Sequence, residues 1–200
     1  MTTNRLQAFS TGVFAIIITI MVLKLHAPHV PSARALLPLL PALSSYVLSF
    51  LYLGIYWNNY HHMFQATEKI SAAVLWANLH LLFWLSLFPF VTYWIGETRV
   101  ARVPAICYGV VLLMAAIAYL ILQSVIIRAQ GRQSRLAQAV GSDIKGKLSA
   151  ILYAVAIAVA FFLPAISAAL YVIVALMWLV PDRRIERMIS PEEYQHKEAG

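Results

Sequence analysis

"RLQAFSTGVFAIIITIMVLKL", residues 5–25, decides how the rest of the chain is read. No charged residue lies between Arg5 and Lys24, yet Ser10, Thr11, Gly12 and Thr19 interrupt an otherwise apolar run. As a helix, residues 6–24 are long enough to cross a hydrocarbon core of ~30 Å at ~1.5 Å per residue. Stepping 100° per residue, Arg5, Phe9, Gly12, Ile16, Thr19, Ile20 and Leu23 share one narrow face, and Ser10 and Thr11 point elsewhere. Two readings fit. Gly12 and Ala15 suit a packed helix–helix seam, and periodicity alone favours it. The same face, repeated around a rotation axis, would instead ring a path with Ile16, Ile20 and Leu23 as a hydrophobic constriction.

The whole chain carries this apolar character. Of its 200 residues, 62% are hydrophobic and 12% charged, against roughly 45–50% and 25% in soluble domains. A soluble fold of this size has too little interior to hide so much apolar surface. Fifteen Lys and Arg against eight Asp and Glu give a net charge of +7. The basic residues fall between apolar segments, so membrane topology accounts for them and nucleic acid is not an expected partner. Cys107 is the sole cysteine, which excludes an intramolecular disulfide. The first apolar run leads into "HAPHVPSARA" without a short cleavable signal pattern.

The expected fold is all-α and polytopic, with six membrane helices. The spans lie near 6–24, 43–63, 72–95, 105–127, 148–163 and 165–181. Pro28, Pro31, Pro38 and Pro41 punctuate the first connector. "FPFVTYW" at 88–94 suits the headgroup level. "RAQGRQSRLAQAVGSDIKGK" at 128–147 reads as a polar connector, and Pro164 divides the uncharged stretch 148–180 into two runs. Residues 1–187 then form one transmembrane domain, and 188–200 a short tail.

Charge supports the even count. With the N-terminus inside, Arg5, Lys69, Arg128, Arg132, Arg135, Lys145, Lys147, Arg183, Arg184, Arg187 and Lys197 are inside, and Lys24, Arg34, Arg99 and Arg102 outside. That bias places both termini in the cytoplasm of a multi-pass cell-membrane protein. Five spans would put the basic tail outside.

The first helix resembles that of the TMEM175 family of potassium channels, in which an Arg and three variable residues precede Phe-Ser-Asp and commonly Gly-Val-Phe-Ala-Ile. Arg5, Phe9, Ser10, Gly12, Val13, Phe14, Ala15 and Ile16 match, and Thr11 replaces the acid. Thr11 can form a hydrogen bond but not an ion pair. The six spans, the aromatic–Asn–His end of the second and the Asn in the third resemble the single-repeat prokaryotic members. The resemblance implies a homotetramer in the lipid bilayer, its first helices lining a central pore permeable to potassium ions, with no cofactor. It assigns the constriction to Ile16, later pore layers to Ile20 and Leu23, and a layer implicated in ion preference to Thr19. It is also consistent with a polar network joining Arg5 and Ser10 to Asn58, His61, Asn78 and His80.

Other chemistry finds little support. No nucleophile, carboxylate pair or phosphate-binding glycine loop stands in a catalytic setting, so an enzyme is not expected. His61, His62 and His80 lack the further ligands of a zinc site, and no metal is expected. A "TVGYG" filter of the voltage-gated-channel type is absent. The alternative is a small secondary transporter using helices broken near Pro89 or Pro164 and the buried His80, though it lacks the intramembrane acid common in proton coupling.

Overall fold

A computed structural model describes residues 2–28, 31–67, 70–131, 134–140 and 143–179. The tail at 188–200 and the end of the sixth expected span therefore lie outside the described residues. Every regular element described is helical: α1 (Thr3–Leu23), a 3-10 segment (Ala33–Leu39), α2 (Leu40–Gln65), α3 (Ala72–Ser86), α4 (Phe88–Glu97), α5 (Arg102–Gln130), α6 (Arg135–Val140), α7 (Ile144–Ala160) and α8 (Pro164–Leu179). Four stretches are long and apolar enough to cross a membrane: α1, the 3-10 segment with α2, α3 with α4, and α5. The chain is an all-α, multi-pass membrane protein.

The third stretch departs from the continuous helix expected over 72–95. It breaks at Leu87, which ends α3 and caps α4. Pro89 supplies the reason: it has no N–H to offer and its ring crowds the carbonyl four residues earlier. The proline-rich connector is also more ordered than expected, because Ala33–Leu39 winds as a 3-10 helix directly into α2. Pro164 starts α8 at the position where a missing N–H costs nothing. The division there is thus real, although α7 and α8, at 17 and 16 residues, are shorter than the other four stretches.

Local chemistry fixes several ends. Ser71 caps α3 by accepting the Val74 N–H at 3.3 Å. Asp143 caps α7, accepting the Gly146 N–H at 3.0 Å. Gly131 ends α5 with φ +95°, a conformation costly for other residues. Arg99 and Val100, between α4 and α5, both adopt positive φ (48° and 63°). Their N–H groups bond back to the Gly96 and Ile95 carbonyls, which seals the end of α4.

Packing follows small residues and aromatic rings. At Gly96 a Cβ would stand 2.8 Å from Ala42 Cα, so α4 lies flush on α2. At Gly109 it would collide with the Tyr171 hydroxyl, so α5 admits the Tyr171 ring of α8. Leu53, Val74, Leu81, Leu85, Phe88, Leu112, Leu122 and Ile126 are fully enclosed. Outside this core, Trp76, Phe83, Phe90, Ile151 and Phe162 lie bare on the surface. So much exposed apolar area belongs against lipid or another subunit.

Candidate functional site: the two faces of the first helix

Helix α1 is keyed to its own subunit along one stripe. Leu6, Ser10, Phe14, Ile17 and Met21, spaced by four, four, three and four residues, are buried against α2, α3 and α4. Near the start of α1, Thr3 Oγ1 donates to the Thr67 carbonyl at 3.2 Å, and the Gln7 amide meets His61 Nδ1 at 2.6 Å. The Gln65 amide holds His61 Nε2 at 2.9 Å. A neutral imidazole has one donor and one acceptor, so one of these glutamines presents its nitrogen and the other its oxygen.

A buried polar cluster follows one turn on. Ser10 Oγ donates to the Leu6 carbonyl at 3.0 Å, while the Tyr60 hydroxyl and the Asn78 Nδ2 donate to Ser10 Oγ at 2.8 and 3.1 Å. The Phe14 ring leans on Tyr60 with centroids 6.0 Å apart. Further along, Met21 Sδ lies 3.9 Å from Thr92 Oγ1, which donates to Ser49 Oγ at 2.6 Å. Ser49 in turn meets the Tyr108 hydroxyl at 2.9 Å. These contacts remove rotational freedom about the α1 axis, because polar groups at membrane depth have few other partners.

The other side of α1 is bare. Phe9, Ile16, Ile20 and Leu23 are exposed, Ile16 by 60% and Leu23 by 71%. Gly12 has no heavy atom within 4 Å of an added Cβ. Thr19 is exposed too, and its hydroxyl donates to the Ala15 carbonyl at 2.8 Å. With its proton so engaged, the Thr19 oxygen keeps its lone pairs as acceptors.

The remaining residues singled out in the sequence divide. Ser10 and Asn78 come together, and His61 binds α1 through Gln7 rather than through Arg5. Arg5, Thr11 and Asn58 are exposed and stand outside the buried cluster. His80 is half-buried and accepts the Trp84 Nε1–H at 3.0 Å within α3. Among the described residues, no three His, Cys, Asp or Glu side chains converge as metal ligands. Sequence reasoning missed Tyr60, Gln7 and Thr92. Tyr60 lies inside "WNNYHH", and its place about one and a half turns before the end of α2 is the available signal.

Comparison with known proteins decides the family. Residues 5–89 match the family described as "Endosomal/lysosomal potassium channel TMEM175". A potassium channel of Chryseobacterium sp. (strain P1-3) is 53% identical over 190 residues, covering 95% of this chain and 99% of that one. The chain belongs to the TMEM175 family of potassium channels. A potassium channel of Streptomyces collinus is 33% identical over 58% of this TMEM175-family chain and 60% of its own. The crystal structure of a lysosomal potassium-selective channel TMEM175 homolog from Chamaesiphon minutus superposes with a TM-score of 0.79 at 28% identity, covering 89% of this chain and 96% of that one. The chain is thus a potassium-channel-like membrane protein, and membership in a channel family accords with a non-enzymatic role.

Proposed function

We propose that the chain forms a homotetrameric, potassium-permeable channel in the cell membrane, with α1 of each copy around a common axis. The observation that carries this reading is the division of α1. One stripe is bolted to α2, α3 and α4, and the stripe with Ile16, Thr19, Ile20 and Leu23 is turned out of the subunit. A rotation axis beside that stripe would stack rings of side chains, with Ile16 as the hydrophobic constriction and Ile20 and Leu23 as further layers. Thr19 would offer a ring of oxygen acceptors to a partly dehydrated cation. The cation-coordinating carbonyl loop of voltage-gated channels has no counterpart in this arrangement.

In the same reading α7 and α8 complete six crossings as a hairpin about Pro164, residues 1–187 form one channel domain, and both termini lie in the cytoplasm. A 17-residue helix reaches about 25 Å, enough when flanking residues extend to the interface. Arg5 then lies at the inner mouth, and Ser10, Asn78 and His61 hold the pore helix in register. Phe9, Thr11, Asn58 and His80 border that inner half.

The test is reconstitution into a planar bilayer under a potassium gradient. Passive current reversing near the potassium equilibrium potential and increased by Ile16→Asn supports the channel. Saturable flux with fixed proton stoichiometry would replace it with the transporter.

A further inference from the structure

At the end of the subunit that carries the α4–α5 loop, a groove of about 580 Å³ opens between α2 and α8. That volume is in the range of ligand-binding clefts. Its walls are chiefly apolar, with Leu40, Leu48, Ile95, Val172 and Tyr171 among the lining residues. Arg99 contributes the only charged side chain among its lining residues. Ser44 and Ser45 also line it, but their hydroxyls donate to the Pro41 and Ala42 carbonyls at 3.0 and 2.9 Å. Arg99 is therefore the donor with capacity for a ligand.

Backbone geometry brings the loop that carries Arg99 to the groove. Gly96 lets α4 press against Ala42 and Ser45 of α2, which brings the loop to the groove. The returns from Arg99 and Val100 N–H to Gly96 and Ile95 then fix the loop in place. The surrounding end of the molecule is basic: Lys24, Arg34, Arg99 and Arg102 face the single acid Glu97 among its described residues. A chiefly apolar groove with one guanidinium among its lining side chains matches an amphiphile with a negative head.

We propose that this groove is a binding site for an anionic phospholipid, its phosphate held by Arg99 and an acyl chain laid along Leu40, Leu48 and Val172. A guanidinium pairs with phosphate through charge-assisted, bidentate hydrogen bonds, and the apolar walls exclude water from the chain. A second copy of the protein would bring Glu97 as its one acid at this end among the described residues. The site is separate from α1 and holds whether or not α1 lines a pore.

The experiment is native mass spectrometry of protein taken from vesicles of equal phosphatidylglycerol and phosphatidylcholine with identical acyl chains. Phosphatidylglycerol is expected to be retained over phosphatidylcholine by about fivefold, the increment of one basic residue near an anionic surface. Arg99→Gln should abolish that preference, Arg99→Lys should keep most of it, and Val172→Trp should lower retention of both lipids by filling the slot. Millimolar inorganic phosphate should displace neither lipid. Equal retention of the two lipids, an unchanged preference in Arg99→Gln, or displacement by phosphate would each overturn the assignment. So would cross-linking that places a second copy across the groove. If Arg99→Gln yields no folded protein, Val172→Trp decides: undiminished phosphatidylglycerol retention in it rejects the site.

Discussion

The Tyr60 hydroxyl of α2 donates to Ser10 Oγ of α1 at 2.8 Å, with both groups buried. Asn78 of α3 donates to the same oxygen, so three helices meet at one serine. Ser10→Ala strands two donors at once, whereas Tyr60→Phe removes one donor and leaves Ser10 bonded. Ser10→Ala should therefore cost more, about 1–3 kcal/mol against about 0.5–1.5 for Tyr60→Phe. Thermal unfolding in detergent, with both variants side by side, checks the order; equal losses would mean that the cluster does not act as a unit.

Ile16 and Ile17 are neighbours in sequence with opposite surroundings, one 60% exposed and the other 3%. Ile16→Ala should leave the subunit's stability nearly unchanged and, if α1 lines the pore as proposed, raise the open-state potassium current by widening the ring at Ile16. Ile17→Ala should cost about 2–5 kcal/mol of packing. Single-channel recording and unfolding midpoints on the same two variants separate the roles.

Thr19 is exposed, and its hydroxyl proton is bound to the Ala15 carbonyl. Thr19→Ser keeps that oxygen, and Thr19→Val replaces it with a methyl group of similar size. The potassium-to-sodium permeability ratio, read from reversal potentials in mixed salts, should be nearly retained in the serine variant and fall severalfold in the valine variant. Equal ratios in both would remove Thr19 from ion discrimination.

Gly12 and Gly109 predict contrasting failures. Around Gly12 the subunit is empty, so Gly12→Leu should fold as a subunit but impair the proposed assembly, seen as loss of the tetramer that the wild type is expected to give in mass photometry. At Gly109 even Ala would collide with Tyr171 and with Ile157 Cγ1 at 2.7 Å. Gly109→Ala should therefore destabilise the subunit itself by about 1–3 kcal/mol.

His61 links Gln7 on α1 to Gln65 on α2. His61→Leu should quicken amide hydrogen exchange in the first two turns of α1 and leave α5 unaffected. Exchange measured peptide by peptide provides the check, and a uniform increase would indicate general loosening instead.

Membrane helices are the structures most legible in sequence, because lipid demands long uncharged runs with internally satisfied backbones. That is why the positions of α1, α2 and α5 were readable within a few residues. That Ile16, Thr19, Ile20 and Leu23 share one face of α1 was readable from the helical period. What opposes it was not: the buried stripe is equally apolar, and only tertiary contact makes Phe14 and Ile17 inward and Ile16 outward. The break at Leu87 was hidden for a related reason, as the run from Val74 to Ile95 stays greasy through Pro89. Tyr60 and Gln7 escaped notice because hydrogen bonds between helices leave no periodic trace. They depend on depth and rotation, which packing sets.

The interruption at Leu87 gives the subunit a joint. Below it, α3 grips α1 through Asn78 and Ser10; above it, α4 touches α1 through Thr92 and Met21. Ile16 lies on α1 midway between those two grips. A bend at Leu87 would therefore load α1 on both sides of Ile16, the residue that the proposed function makes the constriction.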